Sequence, residues 1–215
     1  MNQTQQQPRR SRLAAIALTS VLLGVTVSAC APLMMGGAAV GSALVATDRR
    51  TSGAQLDDQT IELRAANRLR DQMGTRARLD VTSYNRRVLL TGEVVSARDK
   101  ELAGQVVAQV ANVAGVVNEL DVANSPTLRE RTADSLLTGR VKAAMLDAKD
   151  LSANSFKVVT NRGTVFLMGR VTQREADRAT EIVRNTSSVQ RVVRVLEIIS
   201  DEELSRLQPQ SAPAK

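Results

Sequence analysis

The chain contains no histidine and no tryptophan, and a single cysteine in 215 residues. Without imidazole there is no His-based acid/base pair, no Ser-His-Asp triad and no Cys/His zinc site. One cysteine cannot close an internal disulfide. The aromatic residues are Tyr84, Phe156 and Phe166, too few for the stacking platforms that hold single-stranded nucleic acid. No metal-ligand motif and no phosphate-binding glycine loop is present. What survives is carboxylate, lysine or backbone chemistry, or no chemistry. Asp57 and Asp58 are adjacent acids at the start of a helical pattern, where acids serve as caps far more often than as catalytic pairs. No second catalytic group accompanies them. The sequence therefore points away from an enzyme and calls for no cofactor.

Hydrophobic residues make up 43% and charged residues 24%, a balance that supports folding. The 29 basic and 22 acidic side chains give a formal charge of +7, which favours acidic partners such as anionic lipid or nucleic acid.

The first residues carry an address. Arg9, Arg10 and Arg12 precede an apolar run of 15 residues from Leu13 to Val27. This suits a secretory leader and is short for a membrane-spanning helix, which needs about 20 residues. Val27-Ser28-Ala29-Cys30 has the form of a bacterial lipobox, in which the cysteine thiol is acylated and the chain is cut before it. An ordinary leader with an incidental cysteine is the alternative. Acylation explains the lone Cys30, and a multi-chain anchor holds stably where one chain is marginal. Residue 31 is Ala rather than the Asp of an inner-membrane retention signal, which favours the outer membrane. Loss of residues 1–29 removes three arginines and leaves 26 basic against 22 acidic groups, or +4. Residues 30–56, with Gly36-Gly37-Ala38-Ala39-Val40-Gly41, are expected to form a tether.

From residue 57 the chain repeats itself. Val88, Leu90, Gly92 and Val94 fall on Val165, Leu167, Gly169 and Val171 at an offset of 77, and the segments that follow match at 76. Each copy starts with an apolar helical stripe: Ile61, Ala65, Leu69 and Met73, then Leu137, Val141 and Met145. Asp57 or Asp58 is the expected cap of the first helix. A strand, a turn (Asn85-Arg86; Asn161-Arg162-Gly163) and an alternating strand come next. Ser96-x-x-Asp99 and Thr172-x-x-Glu175 have the form of capping boxes opening a second helix. A Val-rich strand closes each copy, near Val116 to Val122 and Val192 to Ile199. The order is α-β-β-α-β. It predicts an α+β fold with an antiparallel hairpin, a right-handed crossover to a parallel third strand, and two helices on one face of each three-stranded sheet. The copies span 57–123 and 127–200, joined by Asn124-Ser125-Pro126. The polar tail 201–215 is expected to fray.

Two copies of Val-x-Leu-x-Gly-x-Val, each within a hairpin followed by a capped helix and a closing strand, resemble the BON domain. Together with the leader, the lipobox and Asp48-Arg49-Arg50-Thr51-Ser52-Gly53-Ala54-Gln55, the chain looks like the dual-BON outer-membrane lipoproteins. The resemblance implies a non-enzymatic role in outer-membrane integrity on the periplasmic side of a Gram-negative outer membrane. It also implies binding of anionic phospholipid in the inner leaflet, mainly through the second domain, and for some members a place at the division site.

Charge supports the second copy independently. Residues 57–122 hold nine basic and ten acidic groups, and residues 123–199 hold thirteen and eight. Such an excess suits an anionic surface, and a solvated face is the alternative. In relatives the first helix of the second domain meets lipid through an exposed aromatic. The aligned residue here is Leu136, beside Leu137, with Arg129, Arg131, Arg140 and Lys142 as the charges. Leu136 is either exposed or a second core leucine. The arginines of the second helix interleave with acids and read as a salt-bridged face. The competing function is an adaptor for outer-membrane assembly, cell-wall or division proteins, using the edges of the two small sheets.

Overall fold

A computed structural model describes residues 48–74 and 77–207, all within one compact unit. Cys30, the leader and the Gly/Ala-rich stretch lie outside the described residues. Copy one consists of α1 (Ser52–Met73), β1 (Ala77–Tyr84), β2 (Arg87–Val94), α2 (Ala97–Ala108), β3 (Gly115–Asn118) and β4 (Asp121–Val122). Copy two consists of α3 (Leu128–Asp147), a 3-10 turn (Ala153–Ser155), β5 (Phe156–Asn161), β6 (Thr164–Val171), α4 (Gln173–Arg184) and β7 (Arg191–Ile198). A last helix, α5, covers Asp201–Leu207. Each copy has the expected α-β-β-α-β order. β2 and β6 are central, antiparallel to β1 and β5 and parallel to β3 and β7.

The helical stripes bury as their spacing predicts. Ile61, Ala65, Leu69 and Met73 pack on Val88, Leu90 and Val94 and on Ala103 and Val107 of α2. Leu137, Val141 and Met145 repeat this on Val165, Leu167 and Val171. Both hairpins turn through two residues of positive φ, Asn85 and Arg86 (49° and 67°) and Arg162 and Gly163 (49° and 71°), the geometry that matches strand twist. A carboxylate of the first helix ties each turn down. Asp58 accepts the backbone N–H of Asn85 and Arg86, and Asp134 accepts those of Arg162 and Gly163.

The repeated glycine of the β2 and β6 motif has a steric cause. A Cβ on Gly92 would lie 2.1 Å from the Arg78 carbonyl oxygen, and one on Gly169 would lie 2.4 Å from that of Ser155. Gly92 also sits at φ +116°, which side-chain-bearing residues avoid. Gly92→Ala is therefore expected to cost about 2 kcal/mol in stability, read as a lowered melting temperature.

Three expectations are corrected. Neither Asp57 nor Asp58 caps α1. Thr51 does, accepting from the Ala54 N–H, so the helix starts before residue 57 and Asp58 is free to serve the hairpin. The closing strand of copy one is split, because Asn118 bonds back to the Leu120 N–H and across to the Lys100 carbonyl, while Leu120 turns into the core. The segment after Ser200 forms α5 rather than fraying from residue 201. Its acidic first turn suits a helix N-terminus, and Glu203 is held by Arg170 at 2.5 Å.

The sheet faces away from the helices pack on each other. Leu89 and Tyr84 of copy one meet Phe166, Met168 and Val195 of copy two in a third apolar cluster. The contact has an approximate two-fold character. The Asn85 amide of the first turn donates to Glu197 of β7, and Asn161 at the second turn donates to Asp121 of β4. Lys157 pairs with Glu62, and Arg191 pairs with Glu119, across the same junction.

The Glu93 carboxylate in this junction is poorly served. Glu93 is 2% exposed; one carboxylate oxygen lies 3.4 Å from Arg162, and the other is buried with no hydrogen-bond partner among the described residues. Arg78 and Asp121 flank it in register on the neighbouring strands. Burial pushes its carboxyl above the ordinary range, against the pull of Arg162. A raised acid stabilises the fold in its protonated form, so the contribution is full below the ordinary value and fades as pH rises. Glu93→Gln is expected to gain about 1 kcal/mol over the native chain at neutral pH. That gain should shrink toward pH 4 in paired melting curves.

Candidate functional site

Thr127 opens α3 through a capping box. Its hydroxyl accepts the Glu130 N–H, and the Glu130 carboxylate accepts the Thr127 N–H. With one face buried by Leu137, Val141 and Met145, the opposite face is fixed by helical phase. At about 100° per residue, Leu128, Thr132, Leu136, Gly139, Ala143 and Leu146 share it. Leu128, Leu136 and Leu146 are 72%, 63% and 64% exposed. Arg129 and Arg140 border this stripe on one side, Arg131 and Lys142 on the other, and all four are exposed. None of the four has a carboxylate partner among the described residues. Arg140 reaches only the hydroxyls of Ser187 and Ser188, both at 3.4 Å.

Leu136 is thus an exposed residue, not a second core leucine. Leu137 is the reverse: at 2% exposure it belongs to the core of copy two and, contrary to the sequence expectation, cannot contact lipid. The helical period puts neighbours about 100° apart, so only one of the two faces out. Leu128 and Leu146 extend the stripe beyond the residues that the sequence pattern singles out; their spacing of 18 residues, five turns, places them on one line.

The α4 surface differs. Arg178 pairs with Asp150 and Glu181, and Arg194 pairs with Asp177. Hydrogen bonds from Arg178 hold the Asp150 carboxyl below its ordinary range, and Gln173 and Arg194 do the same for Asp177. Of the α4 arginines that interleave with acids, Arg178 is matched, Arg174 reaches only the Asp150 carbonyl, and Arg184 has no carboxylate partner among the described residues; Glu175 is taken by Arg49 instead. None of the four α3 cations is matched among the described residues.

Copy one serves as an internal control. Thr51 and Thr127 are equivalent caps at an offset of 76. Counting from them, Ser52, Thr60 and Arg70 stand where α3 has Leu128, Leu136 and Leu146. Gly53, Gln55 and Ala66 stand where it has Arg129, Arg131 and Lys142, and only Arg64 matches Arg140. Copy one exposes Leu56 and Leu63 instead, without the double border of unmatched cations.

The segment before α1 forms a strap across both copies. Arg50 donates to Asp58 at 2.7 Å and lies 4.3 Å from the centre of the Tyr84 ring, a cation–π distance. Burial pushes the Asp58 carboxyl up, but donors from Ser83, Arg86, Arg50 and Asn85 outweigh it and hold the group below its ordinary range. Arg49 turns the other way. It makes a two-pronged pair with Glu175 of copy two, at 2.8 and 2.7 Å, and donates to the Arg170 carbonyl. The side chains of Arg49 and Glu175 are 8% and 4% exposed. Burial opposes charge on Glu175, yet Arg49 and Thr172 hold its carboxyl below the ordinary range.

The sequence matches the BON domain family over residues 57–124 and 133–200. It is 36% identical over 191 residues to the outer membrane lipoprotein DolP of Haemophilus influenzae, covering 87% of this chain and 98% of that protein. It is 32% identical over 154 residues to a 21 kDa hemolysin of Actinobacillus pleuropneumoniae, covering 71% of this chain and 79% of that one.

Proposed function

The chain belongs to the BON-domain family, and from that premise we propose that it is a non-enzymatic outer-membrane lipoprotein whose second BON domain binds anionic phospholipid. One observation carries this reading. The leucine stripe of α3 is bordered by four cations without carboxylate partners among the described residues, whereas α1 exposes Leu56 and Leu63 on the equivalent face but keeps only Arg64 of the four bordering cations. Each cation near an anionic surface contributes about 1 kcal/mol, and the leucines add burial at the headgroup boundary. Acylation of Cys30 keeps the domain near the bilayer, where weak contacts suffice through effective concentration. Cys30 and Asp48 are 18 residues apart, a span of about 60 Å at full extension, so the anchor does not hold α3 out of reach. The lipobox and the likeness to an outer membrane lipoprotein support the outer-membrane location, facing the periplasm.

The test is cosedimentation of the 47–215 fragment, which has its own three apolar cores and keeps the strap. It is expected to pellet with phosphatidylglycerol-containing vesicles, to be released by high salt, and to ignore neutral vesicles. Equal pelleting with both vesicle types overturns the reading. The adaptor alternative, with outer-membrane assembly or division proteins as partners, draws on Leu56 and Leu63, exposed on α1. Crosslinks that persist after charge reversal on α3 favour it.

A further inference from the structure

The two copies differ at one joint beside α3. In copy one the Arg86 N–H belongs to the hairpin turn, the Arg86 carbonyl accepts the Ala114 N–H at 2.8 Å, and the Arg86 side chain lies across to the Asn112 carbonyl at 2.7 Å. In copy two the same backbone bond joins the Gln190 N–H to the Gly163 carbonyl at 2.9 Å. Asn112 and Ser188 match even in backbone, with φ of 70° and 74°. The side chain that covers the joint in copy one is absent from copy two, because the residue there is Gly163.

A cleft of about 380 Å³ opens in its place, lined among others by Glu130, Asp134, Arg140, Gly163, Ser188 and Gln190. A Cβ on Gly163 would lie 2.9 Å from the Gln190 side chain, so glycine and glutamine are fitted to each other. Among the described residues Arg140 has no carboxylate partner and reaches only the Ser187 and Ser188 hydroxyls. The Arg162 guanidinium is directed away, to Glu93 and to the Asn124 carbonyl. The acidic wall is engaged: Asp134 holds two turn N–H groups and Glu130 holds the Thr127 cap. Both keep acceptor capacity for hydroxyl donors. A guanidinium held by two serine hydroxyls, in a cleft also lined by carboxylates that can accept from hydroxyl groups, suits a phosphoryl group that carries a small polyol.

We infer that the Gly163 cleft is a subsite for one glycerophosphate-type group, filled by a lipid headgroup when the α3 face lies on a bilayer. The proposal rests on the membrane reading above and adds headgroup recognition to it. Arg140, on the flank of the α3 stripe, is where the cleft meets the membrane face; Ala133, Glu130 and Asp134 lie farther round the helix, so a headgroup enters the cleft from the side of α3.

The test rebuilds the copy-one joint as Gly163→Arg with Gln190→Ala in the 47–215 fragment. Arg86 already occupies the equivalent backbone at φ 67°, so the turn has a precedent for arginine. Melting curves establish folding, and Arg140→Lys on the exposed helix face is the second variant. Vesicles of phosphatidylcholine with phosphatidylglycerol are the first probe, and soluble glycerol 3-phosphate is the second. The double variant gains one positive charge, which by surface charge alone strengthens vesicle binding about fivefold. Occlusion of the cleft is expected to weaken it about tenfold instead. Glycerol 3-phosphate is expected to shift the Gly163 and Ser188 amides of the native fragment and not those of the double variant. Arg140→Lys, which keeps the charge and loses the fork, is expected to weaken both signals. Equal or tighter vesicle binding by the double variant overturns the cleft and leaves the membrane reading standing. If the native fragment ignores anionic vesicles, the membrane reading falls. Amide shifts with glycerol 3-phosphate then sustain the cleft as a site for a free phosphorylated polyol, and their absence overturns it.

Discussion

Replacing Leu128 and Leu136 together by serine is expected to weaken binding of the 47–215 fragment to anionic vesicles about a hundredfold. Each leucine is exposed in the free protein, so its apolar surface is available for transfer to the headgroup boundary. At about 1.5 kcal/mol for each partly buried leucine, two losses give about 3 kcal/mol, or roughly two orders of magnitude. Exposed substitutions of this kind change stability by about 0.5 kcal/mol or less, so melting should be unaffected. Leu56→Ser with Leu63→Ser removes the same kind of surface from copy one and is expected to leave vesicle binding unchanged. Leu137→Ser separates the two roles of adjacent leucines: its side chain lies in the core, and it should lower the melting temperature sharply. Vesicle titration and thermal melting of the three variants check all of this.

Arg49→Ala is expected to cost about 3 kcal/mol in stability. The change leaves the Glu175 carboxylate buried without its guanidinium and frees the Arg170 carbonyl, and removing one partner of a buried pair is severe. The pH dependence has a defined sign. Glu175 is held below its ordinary value of 4.5, so the pair's contribution is present above that value and fades as pH falls through the depressed one. The gap between native and Arg49→Ala melting temperatures should therefore be widest at neutral pH and close on acidification. Hydrogen exchange should quicken at Leu89 and Phe166, because Arg49 and Arg50 hold opposite copies. A fragment starting at residue 57 lacks the strap and the Thr51 cap and should behave like the variant.

The repeat made the fold legible. Helical stripes, turn residues and the Val-x-Leu-x-Gly-x-Val strands are local signals, and each appears twice at nearly constant spacing. The glycine in that motif answers to a neighbouring carbonyl oxygen, which explains its recurrence in both copies. The pairing of the copies was not legible. Leu89, Thr91 and Glu93 alternate with the core positions of β2 as a half-wet face does, yet all three are buried, Leu89 and Glu93 against copy two. A buried glutamate is a poor local sign of an interface. Arg49 and Arg50 carry no periodic pattern, and Glu175 lies 126 residues from its partner. In the candidate site, Leu136 and the four cations were legible from sequence and are exposed. Leu137 stands next to Leu136 in sequence but about 100° round the helix, in the core. The Gly163 cleft emerges only when the copies are compared in space.

Amide chemical-shift mapping of the 47–215 fragment with anionic and with zwitterionic micelles tests the membrane-contact face most directly. With anionic micelles, changes should concentrate on α3 between Leu128 and Leu146 and at Gly163 and Ser188, with α1 silent. Changes centred on α1, or equal responses to both kinds of micelle, contradict it.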